Sequence, residues 1–274
     1  MKQTTHNCKV TAKRQNPQDV LDRIVENRLF KMKLNETRLL KNYMQRQQKV
    51  IVSVIMPTYN RAFIIGRAIE SILAQRYKNV ELFIIDDGSV DNTESVISKY
   101  RAKDDRITYL RCHHSGVSFA RNLALKMSNG ELIAYLDSDN VWSPNYLLLM
   151  VNTFEDHPNI GTLYCGIRVV DNIHNRKYIR LTRHDRNRLM NQNYIDLNVF
   201  MHKREVYETF GGFDESLTSL EDWELIIRYT DTHPPHVLEA CLVTYFLEKR
   251  FNHLSLQPGL IENYGTIRRR WGND

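Results

Sequence analysis

Several short groups of residues in this chain carry side chains that could bind charge or move a proton. Asp137 and Asp139 stand one residue apart, directly after the apolar run Leu132-Ile-Ala-Tyr-Leu136. An Asp-x-Asp pair of that spacing can hold a hard divalent cation through oxygen ligands. Tyr59, Asn60 and Arg61 follow a second apolar run, Asp86-Asp-Gly-Ser89 follows a third, and Glu221-Asp222 opens a helical stretch. Taken singly, each has an ordinary reading. Acidic residues end strands and start turns, here helped by Asn140 and Pro144, and Glu221 or Asp222 alone reads best as a helix cap.

The elements that must position these groups raise them above the ordinary. Val50-Ile-Val-Ser-Val-Ile-Met56 is rich in β-branched residues and stops at Pro57, as a buried first strand does. Ile64, Ile65, Ala68, Ile69, Ile72 and Leu73 fall on one face of a helix, and Val80–Ile85 forms a second strand. Asp91-x-x-Glu94 caps the next helix. Arg106–Leu110 is then a third strand, Val117–Met127 a helix with Val117, Ala120, Ala124 and Met127 inward, and Glu131–Leu136 a fourth strand, buried on both faces. This alternation predicts an α/β fold with a mainly parallel sheet and right-handed crossovers. Parallel strands place their carboxyl ends on one edge, so Tyr59, Asp86–Asp87 and Asp137–Asp139 converge although they are far apart in sequence. A dinucleotide-binding unit shows the same alternation but needs a Gly-rich first turn, and here that turn is Pro57-Thr-Tyr-Asn-Arg-Ala62. A metal on Asp139 is the substitute for holding phosphates.

The second half adds further elements. Asn159–Ile167 is another strand, the polar stretch Asp171–Asn193 has no clear period and suits a flexible lid, and Leu197–Met201 returns to the sheet. A short helix over Lys203–Phe210 ends at Gly211-Gly212, and a further helix starts at Glu221 and runs through Trp223, Ile226 and Ile227.

With 274 residues, 42% of them apolar and 26% charged, the chain has ordinary globular composition and room for a sizeable core. No apolar run approaches the roughly 18 residues of a membrane span and no stretch resembles a signal peptide, so a cytoplasmic protein is expected. Cys8, Cys112, Cys165 and Cys241 lie far apart, which argues against a zinc site or disulfide framework. The basicity is local. Residues 1–50 hold 12 Lys+Arg against 4 Asp+Glu, a surplus of +8, while residues 51–274 hold 26 against 28, or −2. Pro17 opens a helix there with Val20, Leu21, Ile24, Val25 and Phe30 near helical spacing, and a second helical stretch runs from Asn35 with Leu39, Leu40, Tyr43 and Met44 on one side. The readings of this basic extension are an arm packed on the main domain or on a second subunit, giving a homo-oligomer, or contact with an anionic membrane surface. Nucleic acid ranks last, because no recognition module accompanies the charge.

The motifs Val52-Ser-Val-Ile-Met-Pro-Thr-Tyr-Asn60, Asp86-Asp-Gly-Ser89, Gly116-x-x-x-Ala-Arg-Asn122, Gly130-Glu131, Leu136-Asp-Ser-Asp-Asn140, Gly211-Gly-Phe-Asp-Glu215 and Glu221-Asp-Trp-Glu224 resemble, in order and spacing, the family 2 inverting glycosyltransferases. The resemblance runs from about Val50 to about His253 and implies a GT-A fold. It divides the chain into a basic helical extension (1–49), a transferase domain (50–253) with a nucleotide-sugar half (50–142) and an acceptor half (143–253), and a basic tail (254–274). It implies metal-dependent, inverting transfer of a sugar from a nucleotide sugar, a UDP-sugar, to a saccharide, lipid-linked, polymer or protein acceptor.

Residue by residue, the resemblance implies that Tyr59 packs on the base and that Asp87 accepts a hydrogen bond from it, with Pro57 and Asn60 in the same loop. These roles make physical sense, since an aromatic ring offers a flat face and a carboxylate selects an imide N–H. Arg61 and Arg121 assist near the diphosphate. Asp137 and Ser138 lie near the ribose or metal, and Asp139 ligates Mn²⁺ or Mg²⁺, with His253 matching a metal- or diphosphate-directed His of some relatives. Asp222 is the general base, beside Glu221 and Trp223 on the acceptor side.

Departures narrow the reading. Ser138 stands where many relatives carry a second adjacent acid, and Asn140 where others have Asp. Arg268-Arg-Arg-Trp271 is similar to an element of processive members, but Ile267 replaces its Gln and no membrane spans accompany it, which points to a non-processive enzyme. Its arginines could cover the diphosphate after donor binding. Rival classes are a catalytically silent nucleotide-sugar-binding module and, further off, a sugar nucleotidyltransferase, whose Gly-rich basic phosphate loop is absent.

Overall fold

The computed structural model describes residues 17–248 and 259–272. His253 lies outside the described residues. The first strand, β1 (Val52–Thr58), is buried along its whole length. It pairs in parallel with β2 (Val80–Asp86) on one side and with β4 (Leu132–Tyr135) on the other, and β3 (Ile107–Arg111) adds to β2. The strand runs through Pro57 instead of stopping at it. Ile55 O accepts from Leu136 N, and Pro57, two residues on, faces the same side. Strand pairing there has already ended at Ile55↔Tyr135, so the missing N–H breaks no ladder bond.

Helices α2 (Ile65–Leu73), α3 (Thr93–Arg101) and α4 (Val117–Met127) are the crossovers. Right-handed connection puts α2 and α3 on one face of the sheet and α4, which carries the chain back across β2 and β1 to β4, on the other. The residues of α4 that are buried are Ser118, Ala120, Arg121, Ala124 and Leu125, whereas Met127 is 36% exposed. The stripe is thus rotated from the expected one. A charged residue turns inward because two carboxylates meet it there.

Two residues, β5 (Val141–Trp142), lead into α5 (Tyr146–Asp156), and β6 (Thr162–Asp171) follows. The polar stretch after it is more ordered than its composition suggested. It holds β7 (Arg176–Arg180), a hairpin partner of β6 closed by Asp171 with His174 and Arg176, and α6 (Arg186–Leu189). A 3₁₀ turn (Leu197–Val199) leads to β8 (Phe200–Lys203), α7 (Arg204–Phe210) and α8 (Glu221–Tyr229). The last strand, β9 (His236–Leu247), was not anticipated, although its Val, Tyr and Phe content suits a strand. The sheet order is β3-β2-β1-β4-β8-β6-β9-β5, with β7 beside β6. The expectation of a mainly parallel sheet holds for β3-β2-β1-β4, while β8 is antiparallel to both β4 and β6.

The basic extension forms one helix, α1 (Pro17–Tyr43), where two stretches were expected. Met32 and Tyr43 are buried, and the Tyr43 hydroxyl donates to Asp156 Oδ2 at 2.7 Å. Met44, Ile24 and Phe30 are exposed rather than inward. At the other end, α9 (Leu260–Trp271) stands where a basic tail was expected. Ile267 is fully buried, and the Asn263 amide donates to Ser219 O and Oγ at 3.1 and 3.0 Å.

Asp91 does not cap α3 in the expected way. Its Oδ1 accepts from Thr93 N and its Oδ2 from Ala62 N, so it ties the loop after β1 to the loop after β2.

Gly130, just before β4, has a definite steric reason. A Cβ there would come within 2.5 Å of Ser53 Oγ, 2.6 Å of Ser53 N and 2.8 Å of Ile51 O. Backbone atoms of β1 cannot yield without opening the β1–β4 pairing. Gly130→Ala is therefore expected to destabilise the fold by about 1–3 kcal/mol, the range for overpacking a close contact, measured by urea denaturation; an unchanged midpoint would show that β4 tolerates displacement.

Candidate active site

The carboxyl ends of β1, β2 and β4 deliver the first three groups of residues to one edge. Register places Thr58 opposite Asp86, and Asp87 N donates to Thr58 O at 2.9 Å. Tyr59 and Asp87 are therefore neighbours. Asn60, at φ 52°, joins the two loops by accepting from Val90 N at 2.8 Å through its side chain and donating to Ser89 Oγ at 2.8 Å through its backbone. Its side chain thus shapes the loop. Asp87 is buried and accepts from the backbone N–H groups of Ser115 and Gly116 at 2.7 and 3.0 Å. Tyr59 is half-exposed and stacks on the His114 ring, with centroids 4.3 Å apart and planes at 17°. His114 Nδ1 lies 2.8 Å from Asp87 Oδ2.

Beyond β4, Asp137 is held from two sides. Its Oδ1 accepts from Arg121 Nη2 at 3.0 Å and its Oδ2 from the Asn198 amide at 2.9 Å, while Asn198 Oδ1 accepts from Asp137 N at 2.7 Å. Ser138 and Asn140 are buried, and both polar atoms of the Asn140 side chain lack a hydrogen-bond partner in the protein. The Asp139 carboxyl is pushed up to about 6, first by burial and then by the Asp137 charge; Arg61 and Arg67 pull the other way. Arg61 thus lies within electrostatic reach of Asp139. Arg67, which sequence reasoning missed, also donates to the Asp139 carbonyl.

Arg121 joins this edge to the fourth group. Its guanidinium is buried, reaching Glu221 Oε1 at 2.8 Å as well as Asp137. Arg121 was expected near the diphosphate; in the structure its charge is matched by two carboxylates, and it braces β4 against α8. Glu221, expected on the acceptor side, is likewise buried. Trp223 is buried too, donating from Nε1 to Leu189 O at 2.7 Å and stacking on Tyr264 of α9, and thus anchors the stretch before Asn193. Two arginines of α9 are likewise bound within the protein. Arg268 holds Met190 O and Asn191, and Arg270 pairs with Asp214.

Asp222 is the second residue of α8, half-buried, and accepts at Oδ1 from Trp223 N at 2.7 Å. Leu220, just before the helix, sits at φ 61°, a region unfavourable for a branched side chain. The Asn193 amide faces both Asp222 oxygens at 3.3 Å, and Asn193 Oδ1 is buried without a partner. Asn193, Asn198 and His114 are the other site residues that sequence reasoning missed; an asparagine in a polar loop carries no signal until the fold places it. The Asp222 carboxyl is pushed up to about 7 by burial and by Glu221, against the pull of Arg121.

Among the described residues no group of three or more His, Cys, Asp and Glu side chains could hold a metal by itself. The donor set nonetheless suits a hard cation whose remaining ligands come from a phosphate. Asp139 offers oxygen atoms and carries a raised proton affinity that a cation would relieve, beside the orphaned amide of Asn140.

An acid-lined edge on a mainly parallel sheet of this order defines the class as the GT-A fold. The S. aureus structure of TarS 1-349 in complex with UDP-GlcNAc superposes with TM-score 0.67 at 20% identity, covering 80% of this chain and 64% of that one. A mannosyltransferase from Pyrobaculum calidifontis, PcManGT in complex with GDP-Man and Mn²⁺, gives 0.56 at 20% identity over 85% and 69%. The family model "Glycosyl transferase family 2" matches residues 53–218, and the chain belongs to that family. An uncharacterized glycosyltransferase of Rickettsia prowazekii is 30% identical over 65% of this chain and 58% of its own length. The Escherichia coli "UDP-Glc:alpha-D-GlcNAc-diphosphoundecaprenol beta-1,3-glucosyltransferase WfgD" is 38% identical over 44% of this chain and 47% of its own. The matches thus span about half of those relatives.

The raised Asp222 carboxyl has a sign that can be measured. Unfolded, the group releases its proton near the usual carboxylate value of about 4. Between that value and about 7 the folded protein binds the extra proton, so this residue's contribution to stability falls as pH rises. The wild-type melting temperature is expected to drop more between pH 5 and pH 7.5 than that of Asp222→Asn. Equal drops would assign the proton elsewhere.

Proposed function

We propose that this chain is a metal-dependent, inverting, non-processive hexosyltransferase that moves a sugar from a UDP-sugar to a hydroxyl of a saccharide, lipid-linked, polymer or protein acceptor. The observation that carries the reading is the Asp137–Arg121–Glu221 bridge, which brings the Asp-x-Asp element beside Asp222, a carboxyl whose proton affinity is poised near neutrality. A general base works best when its pKa lies near the working pH.

In this reading Tyr59 supplies a stacking face for the base and Asp87 the acceptor for its imide N–H. Asp139, with Asp137, would hold Mn²⁺ or Mg²⁺, which when bound supplies Lewis-acid neutralisation of the leaving diphosphate. Arg61 adds positive charge beside it. The Asn193 amide fixes the orientation of Asp222, and its free oxygen can accept from an acceptor hydroxyl. Asp222 takes the proton of the acceptor hydroxyl as its oxygen bonds to the anomeric carbon. The bond from that carbon to the diphosphate breaks on the opposite face, and the nucleoside diphosphate leaves. One displacement inverts the centre, with no covalent intermediate on the protein. Among the described residues no helix is long and apolar enough to cross a membrane.

Asp222→Asn is expected to lower transfer by about 10²–10⁴-fold, the usual contribution of a positioned base, while UDP with Mn²⁺ still raises the melting temperature. Asp139→Ala is expected to lose that Mn²⁺-dependent stabilisation. Near wild-type transfer by both variants would reject the assignment.

The His114 ring already occupies one flank of Tyr59 and one oxygen of Asp87, the two contacts the base needs. His114→Ala is therefore expected to tighten UDP binding by about fivefold, the equivalent of one hydrogen bond no longer displaced, in a calorimetric titration. Weaker binding would make the imidazole a platform for the base instead of its rival.

A further inference from the structure

The face of α1 turned away from the protein has no part in the chemistry above. At 3.6 residues per turn the inward side of this helix is set by Met32 and Tyr43, with Val25, Leu29, Glu36, Leu39 and Leu40 flanking them. The opposite side carries Arg23, Asn27, Phe30, Lys31, Leu34, Thr37, Arg38 and Lys41, all exposed. Phe30 is 63% and Leu34 55% exposed, so two large apolar side chains lie in the middle of the solvent face. Four cations surround them, and among the side chains described no carboxylate shares that face. The nearest acids on the helix, Glu26 and Glu36, lie to the side and inward, and the Glu36 carboxylate accepts from the Asn145 amide.

We propose that this face of α1 docks on an anionic lipid surface, lying in the interface with Phe30 and Leu34 inserted among acyl chains and Arg23, Lys31, Arg38 and Lys41 among the headgroups. Apolar residues ringed by cations on one face of a helix too polar to span a bilayer are what interfacial binding needs. Each cation near an anionic leaflet adds to the attraction. A second copy of the chain fits less well, because this face would meet its own positive charge. A nucleic acid would find the phosphate-binding cations interrupted by Phe30 and Leu34.

The geometry gives docking a consequence for the site. Arg28 donates to Leu181 O, just past β7, at the start of the stretch that leads to Asn193 beside Asp222. A helix seated on lipid would hold this side of the protein near the headgroups. Resting on the function proposed above, this favours an acceptor that is itself anchored in the bilayer; the docking does not depend on that reading.

The experiment is flotation of the full chain with vesicles of phosphatidylcholine alone and of phosphatidylcholine with 30% phosphatidylglycerol (about the anionic content of a charged leaflet). Binding is expected to the anionic vesicles alone and to weaken strongly in high salt. Phe30→Ser with Leu34→Ser, and separately Lys31→Ala with Lys41→Ala, are expected to lower the partition coefficient by about tenfold or more, with circular dichroism and Mn²⁺-dependent UDP binding unchanged. Variants that float as well as the wild type, or a wild type that ignores anionic vesicles, would overturn the proposal. So would a dimer in sedimentation velocity that the Phe30/Leu34 variant dissolves, or binding to duplex DNA in place of vesicles. Failure of UDP binding in every protein tested would instead count against the proposed function and leave the lipid result standing.

Discussion

The buried guanidinium of Arg121 is the constraint on which the site depends. Placing a full charge inside α4, against the sheet, carries a desolvation penalty of several kcal/mol, which its partners must offset. Asp137 at the end of β4 and Glu221 at the start of α8 meet it at 3.0 and 2.8 Å, and the Phe213 ring lies under it. An apolar residue could fill the same volume, but it could not set the relative position of two loops from distant parts of the chain. Two bonds in fixed directions do that. A planar fork suits the task better than a lysine, whose single ammonium would not span both acids.

This arrangement also divides the carboxylates into two kinds. Asp137 and Glu221 share the arginine, which offsets their charge. Asp139 and Asp222, each close in sequence to one of them, feel the neighbouring negative charge, which together with burial raises their proton affinity to about 6 and about 7 against the pull of Arg61 and Arg67 on the one and of Arg121 on the other. Four acids packed at one edge thus sit in unlike surroundings. An acid that is costly to ionise is what a cation or a departing proton can exploit.

Much of this was legible beforehand, for identifiable reasons. The alternation from Val50 to Leu136 specifies a parallel sheet because only crossovers join parallel strands, and that topology alone gathers Tyr59, Asp87 and Asp137 at one edge. Helix boundaries at Val117, Met127 and Glu221 followed from periodicity and capping residues. What could not be read was which charges meet. Arg121, Glu221 and Trp223 look like site-facing residues in a motif, yet each is buried and shapes the site from behind. The stripe of α4 was misjudged for the same reason, since a periodicity argument counts Met127 as core and Arg121 as surface. The order in 171–193 and in α9 was hidden as well. Their stability comes from contacts with β6 and α8, which no local propensity reports.

Those late elements explain why Asp222 can sit where it does. Leu220 enters α8 from a left-handed conformation that costs roughly 1–2 kcal/mol, and such strain persists only where the surroundings over-determine it. Here they do so from several sides: Arg121 fixes Glu221, Leu189 O fixes the Trp223 indole, and Asn263 of α9 fixes Ser219. The same indole bond anchors the stretch that carries Asn193, so the group orienting the Asp222 carboxylate and the helix presenting it are tied to one another. A displacement of α9 would therefore reach Asp222 through Ser219 and Trp223. The distal helix and the base form one mechanical unit.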